Sequence, residues 1–202
     1  MGIKKFSIND KPIVCLTAYD YKTACIVDNY CDVVLVGDSV GMALYGDKTT
    51  TNVTLDVMIR HGQSVRKGLK KSYMVVDMPK NTYKNKIQAF KNAKKIITQT
   101  KCDAVKLEGG KKIINIVNYL IRKKIKVVGH IGLLPQSINN PKDYRVLGKE
   151  KRDRKKIYLD FKYLENSGVD FIILESVKKK LADEICKESR IPIIGIGASN
   201  KC

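Results

Sequence analysis

Short apolar runs rich in β-branched residues recur along the chain at residues 13–16, 33–36, 74–76, 104–107, 127–129, 171–174 and 191–196. Their length and nearly unbroken hydrophobicity predict about seven strands that are covered on both faces. Between them, Ile87, Phe90, Lys94 and Ile97 recur at helical spacing. Val57, His61 and Val65 do the same behind a candidate N-cap, Thr54. Strand and helix therefore alternate, which predicts an α/β domain with a parallel sheet. A closed barrel and an open doubly wound sheet both satisfy that pattern. The polar residues favour the barrel, because Asp38, Asp77, Glu108, His130 and Glu175 each come at the end of a different run, where barrel enzymes carry their catalytic groups. The long polar stretch 139–156 reads as a mobile loop or lid, since the apolar pattern resumes at Ile157 and runs into a helix ending near Gly168. Residues 1–202 thus parse as one domain.

Charge adds little to this picture. The formal net charge is +19, from 39 Lys and Arg against 20 Asp and Glu, which alone would suit nucleic acid, an anionic membrane or acidic substrates. The lysines, however, interleave with apolar runs, as at Lys91, Lys94 and Lys95 or Lys178, Lys179 and Lys180, and so describe a solvated face. With no aromatic platform beside them, nucleic acid is not an expected partner. Residues 1–10 are polar and no apolar run approaches membrane-spanning length, so the expected location is the cytoplasm. Six scattered cysteines lack the paired spacing of a zinc or dithiol site and are read as reduced and mostly buried.

The acids change the picture most. A single strand-end carboxylate commonly caps the next helix or pairs with a lysine. Four converging on one mouth (Asp38, Asp77, Glu108 and Glu175) repel one another unless a proton or cation lies between them. An oxygen-rich donor set suits Mg²⁺, with Mn²⁺ as a close substitute, and disfavours zinc. His130, flanked by Gly129 and Gly132, is a candidate for the same mouth, whereas His61 on an apolar helical stripe reads as packing. Gly195 and Gly197 could cradle a phosphate or merely permit close packing.

These residues sit in longer motifs: Thr17, Ala18, Tyr19 and Asp20; Val36, Gly37, Asp38, Ser39, Val40, Gly41 and Met42; and Asp77, Met78 and Pro79. In the same order follow Val105, Lys106, Leu107, Glu108, Gly109 and Gly110; Gly129, His130, Ile131 and Gly132 with Pro135 and Gln136; Leu174 and Glu175; and the stretch 194–198. The combination, collinear from about residue 11 to 200, closely resembles the ketopantoate hydroxymethyltransferase family. That family belongs to a wider group of metal-dependent barrels with isocitrate lyase and phosphoenolpyruvate mutase.

The resemblance implies a TIM-type (β/α)8 barrel of the phosphoenolpyruvate/pyruvate type. It implies that Asp38 and Asp77 hold Mg²⁺, with Glu108 completing the shell directly or through water. Ser39 and Lys106 would bind the substrate carboxylate beside Asp38 and Asp77, His130 would line the substrate pocket, and Glu175 would be the general base. The implied reaction moves a hydroxymethyl group from 5,10-methylenetetrahydrofolate to 3-methyl-2-oxobutanoate, in an enzyme that works as a homo-oligomer. Lys80, Leu134, Lys178 and Ser199 depart from the family's usual residues near the pocket. The eighth barrel unit of the family is not expected within this chain, which leaves a catalytically decayed barrel as the alternative reading.

Overall fold

The computed structural model describes residues 12–202, so the polar N-terminal stretch 1–10 lies outside the described residues. The strands are β1 (Cys15–Thr17), β2 (Val33–Val36), β3 (Tyr73–Asp77), β4 (Ala104–Glu108), β5 (Val127–Gly132), β6 (Ile172–Glu175) and β7 (Ile193–Ile196). They form one parallel sheet in the order β1-β2-β3-β4-β5-β6-β7. This sequential order excludes the doubly wound alternative, in which the strand order reverses at a switch point.

Both faces of the strands are buried, but in two different cores. Val33, Leu35, Tyr73, Val75, Ala104, Val128, Phe171, Ile173 and Ile194 form an interior cluster made of strand and strand-edge residues alone. Cys15 of β1 packs on the same cluster as Ile194 of β7, so the sheet curls into a nearly closed barrel. The alternate residues, such as Val34, Val36, Met74, Val76, Val105 and Leu107, face outward into a larger core with the helices. Seven strands are described, against eight in a complete barrel of this type.

Helices α1 (Tyr21–Val27), α2 (Val40–Tyr45), α3 (Leu55–Gly68), α4 (Lys86–Thr100), α5 (Ile114–Arg122), α6 (Lys151–Ser167) and α7 (Lys179–Glu188) fill the connections. Thr54 caps α3 as expected, its side chain accepting from Val57 N at 3.3 Å. The stripe read for α4 is displaced. Ala89, Ala93, Ile96 and Thr100 are its buried residues, while Ile87 is 69% exposed, because small side chains let the helix sit close to the sheet.

Two further expectations need correction. The stretch 139–156 is not one loop: it contains a 3-10 turn (Pro141–Asp143), a bridge from Leu147 to Val177, and the first turns of α6 from Lys151. The sequence Lys-Arg-Asp-Arg-Lys-Lys conceals a helix start because long charged side chains are good helix formers yet leave no apolar period to read. The cysteines are also not all reduced, since Cys186 of α7 is disulfide-bonded to Cys202. Cys31 and Cys102 are buried thiols; Cys15 and Cys25 are partly exposed. Gly195 is explained by close packing, because an added Cβ would lie 2.9 Å from that of Cys202.

Candidate active site

Strand parity determines which side chains enter the barrel mouth. Asp77 shares its face of β3 with Tyr73 and Val75, Lys106 and Glu108 share theirs with Ala104, His130 shares with Val128, and Glu175 with Phe171 and Ile173. Asp77, Glu108 and Glu175 are the last residues of their strands, and His130 lies inside β5. Register places Asp77 opposite Lys106 and Glu108 opposite His130. Asp38 follows β2 by one glycine, and its backbone N–H donates to Asp77 Oδ2 at 3.1 Å. At Gly132, φ is +92° and an added Cβ would lie 2.2 Å from the Glu175 carbonyl oxygen, so only glycine lets the ends of β5 and β6 approach here.

The site is densely charged and deeply buried, with Asp38, Asp77, Lys106, Glu108 and His130 all nearly inaccessible. Lys106 Nζ lies 3.1 Å from Asp77 Oδ2 and 3.2 Å from His130 Nδ1, with both partners of the ion pair buried. Burial opposes the ammonium charge, but Asp77, Glu108 and Asp38 outweigh it and hold the Lys106 pKa above its ordinary value. Burial, and then the charge of Asp77, raises the Asp38 carboxyl to about 7. Burial likewise raises Glu108 to about 8, with Lys106 opposing. His130 is lowered by burial and then by Lys106, so its ring is neutral. Because Lys106 can only donate to Nδ1, the ring proton sits on Nε2, which lies 3.3 Å from Glu175 Oε2 without the alignment of a hydrogen bond.

Two carboxylate oxygens are left without a hydrogen bond in this buried mouth: Asp77 Oδ1 and Glu108 Oε1. Orphaned carboxyl oxygens at one mouth are what a hard cation, displacing protons where they are bound, would satisfy. Among the described residues no three His, Cys, Asp or Glu side chains already surround one point as a full cage would. The donor set therefore fits an ion held by few protein oxygens and otherwise by water or substrate oxygens, which is the habit of Mg²⁺.

The raised carboxyl values carry a pH consequence. A group whose folded pKa exceeds its unfolded one stabilises fully below the unfolded value, and that stability is lost as pH rises through the folded value. For Asp38 and Glu108 the window runs from about 4 to about 8. The melting temperature of the metal-free protein is expected to fall between pH 5 and pH 8.5. Added Mg²⁺ should restore it at pH 8.5 and do little at pH 5, where it must displace protons. Scanning calorimetry at both pH values checks this, and a flat profile would contradict it.

Other residues join the mouth, some from the motifs above but without an assigned role and some, such as Tyr83 and Tyr144, from outside them. Gln136, in the 3-10 turn Pro135–Ser137 after β5, donates from Nε2 to Asp38 Oδ2 at 2.8 Å and from its backbone N to Glu108 Oε2 at 3.0 Å. Tyr83 OH donates to Gln136 Oε1 at 2.5 Å. Tyr19 OH is 2.8 Å from Ser39 Oγ, and Tyr144 OH lies 3.7 Å from Met42 Sδ, on the segment before α6. Gln136 stood in a quoted motif without an assigned role; nothing around Tyr83 marked it. A cavity of about 320 Å³ opens beside Glu108 and Gln136, with Lys80, Lys84 and Lys112 on its wall. His61 is not a packing residue of the expected kind. Its Nδ1–H donates to the Tyr19 carbonyl at 2.5 Å and its Nε2 accepts from Tyr45 OH.

A parallel barrel with a carboxylate-lined mouth at the strand C-termini defines the class: a TIM-type α/β barrel with the site where such barrels carry their chemistry. Solved structures support the fold. Phosphonopyruvate hydrolase, in complex with oxalate and Mg²⁺, superposes with a TM-score of 0.68 at 9% identity, over 91% of this chain and 66% of that one. A 2,3-dimethylmalate lyase, itself described as a phosphoenolpyruvate mutase/isocitrate lyase superfamily member, gives 0.64 at 11% identity, over 91% of this chain and 66% of that one. The family model for ketopantoate hydroxymethyltransferase matches residues 2–202. The 3-methyl-2-oxobutanoate hydroxymethyltransferase of Pelagibacter ubique (strain HTCC1062) is 56% identical over 194 residues, 96% of this chain and 74% of the relative. That of Bartonella tribocorum (strain CIP 105476 / IBS 506) is 48% identical over 193 residues, 95% of this chain and 71% of the relative. The chain belongs to the ketopantoate hydroxymethyltransferase family.

Proposed function

We propose that this chain transfers a hydroxymethyl group from 5,10-methylenetetrahydrofolate to 3-methyl-2-oxobutanoate, giving 2-dehydropantoate and tetrahydrofolate with uptake of one water. The observation that carries the reading is the meeting of Asp38, Asp77, Lys106, Glu108, His130 and Glu175 at one mouth, in a chain of this family. The residues fit a Mg²⁺ ion held by Asp38 and Asp77, with Glu108 directly or through water. Bound there, the ion would act as a Lewis acid toward the substrate's keto oxygen and acidify its C3 proton.

The chain's own groups do the rest. Lys106 and Ser39 receive the substrate carboxylate. Glu175, the more exposed acid at the end of β6, takes the C3 proton, and C3 then forms the new bond to the one-carbon unit. Neutral His130 lines the pocket and presents its Nε2–H toward Glu175. The lysines beside the 320 Å³ cavity suit an anionic co-substrate.

Large apolar side chains left exposed on and near α1 and α2, among them Ile26, Tyr30, Leu44 and Tyr45, support a homo-oligomer. No helix among the described residues is long and apolar enough to cross a membrane; the cytoplasm is the proposed location. Incubation with both substrates and Mg²⁺, followed by mass spectrometry, should yield 2-dehydropantoate. No product from folded protein would overturn the proposal in favour of a decayed barrel.

A further inference from the structure

Gln136 uses both polar atoms of its side chain and its backbone N–H on the candidate site. Its Nε2 donates to Asp38 Oδ2 at 2.8 Å and to the Met78 carbonyl at 2.9 Å, and its Oε1 accepts from Tyr83 OH. Its backbone N–H donates to Glu108 Oε2 at 3.0 Å. The amide orientation is unambiguous, because the flipped amide would set its oxygen against a carboxylate and a carbonyl. Tyr83 completes the circuit: its hydroxyl accepts from the Glu108 backbone N–H at 3.4 Å while donating to Gln136. Burial pushes the Tyr83 phenol well above its ordinary pKa, so it remains a donor.

The circuit spans sequence separations of 28, 58 and 98 residues and links the ends of β2, β3, β4 and β5. It engages each of two carboxylates through one oxygen only. None of its bonds uses Asp38 Oδ1 or Glu108 Oε1, and the latter is buried without any hydrogen bond. A buried carboxylate held by one oxygen has a fixed torsion, so the direction of its other oxygen is fixed as well.

We infer that Gln136, oriented by Tyr83, is the positioning residue of the candidate metal site, fixing Asp38 and Glu108 by one oxygen each so that their other oxygens are presented to the cation. The inference rests on the metal site proposed above and deepens it, since it names what holds the ligands and not only which residues they are. Gln136 is buried, touches two of the three proposed ligands, and is neutral, so it steers the carboxylates without adding to or cancelling the charge that attracts a divalent ion.

The test is a titration of the full chain with Mn²⁺ alone, following free Mn²⁺ by electron paramagnetic resonance with no substrate present. Gln136→Leu removes the amide at similar volume, and Tyr83→Phe removes one hydroxyl. Loss of a residue that orients metal ligands lowers metal affinity by about 10- to 100-fold, which is the result expected for Gln136→Leu, with a smaller loss in the same direction for Tyr83→Phe. A residue with a merely structural role would lower the melting temperature of the metal-free chain and leave the Mn²⁺ affinity of the folded protein unchanged. Wild-type Mn²⁺ affinity in folded Gln136→Leu overturns the inference. Should that variant fail to fold, wild-type affinity in Tyr83→Phe overturns it instead. If the unaltered chain takes up no Mn²⁺, the proposed metal site falls and the inference with it, an outcome distinct from a wild-type site that ignores the substitution.

Discussion

Replacing Glu175 by Gln is expected to reduce Mg²⁺-dependent exchange of the 3-methyl-2-oxobutanoate C3 proton with D₂O by about 10²- to 10⁴-fold, the usual contribution of a positioned general base. Exchange is the first half of the proposed reaction and needs no folate, so it isolates the base from the binding of the co-substrate. Glu175 is favoured because the other three acids are committed to the buried mouth: Asp38 to Gln136, Asp77 to Lys106 and the Asp38 backbone, and Glu108 to the backbone of Gln136. The Glu175 side chain keeps 18% exposure and lies against neutral His130, so it can both reach substrate and return a proton to solvent. Gln has the same shape and cannot accept the proton, so the fold is preserved while the chemistry is lost. Proton NMR of the C3 signal measures it. Undiminished exchange in the variant would assign the base to another group.

The second large effect is on stability. Lys106 is buried against Asp77, and its charge also opposes the accumulated negative charge of Asp38 and Glu108. Substitution by Met preserves most of the side-chain volume and removes the cation, leaving carboxylates buried without compensation. Removing one partner of a buried ion pair costs about 3–5 kcal/mol. The cost should depend on pH in a direction that identifies its origin. Near pH 5, Asp38 and Glu108 carry protons and the missing cation matters less; near pH 8 they are driven toward the charged form and the loss is greatest. Urea denaturation of Lys106→Met and the unaltered chain at both pH values tests this, and Mg²⁺ should recover part of the loss at pH 8. An equal loss at both pH values would assign the effect to packing.

Much of this architecture is readable from the chain itself. Seven apolar runs locate seven strands, and their alternation with amphipathic segments predicts a parallel sheet, because βα units put helices on a sheet whose strands are covered on both faces. The acids at the run ends predict the mouth; that they share one face follows by parity only once the structure shows Tyr73, Ala104, Val128 and Phe171 facing the barrel interior. The reading fails where local pattern is ambiguous or silent. The start of α6 at Lys151 carries no apolar period, the buried stripe of α4 rests on alanines, and Cys186 and Cys202 lack a motif spacing, so their bond depends on the fold bringing α7 and residue 202 together.

The sequence by itself determined the order of the elements and the identity of the charged groups, because unbroken apolar runs and the 3.6-residue period record burial locally, whereas strands covered on both faces carry no period of two to say which core each residue enters. Only the tertiary structure decided which oxygen of each carboxylate is engaged, that Gln136 and Tyr83 tie the site together, and that His130 keeps its proton on Nε2. These depend on contacts between residues up to 98 positions apart. The curling of the sheet sets such distances, and no local period encodes them.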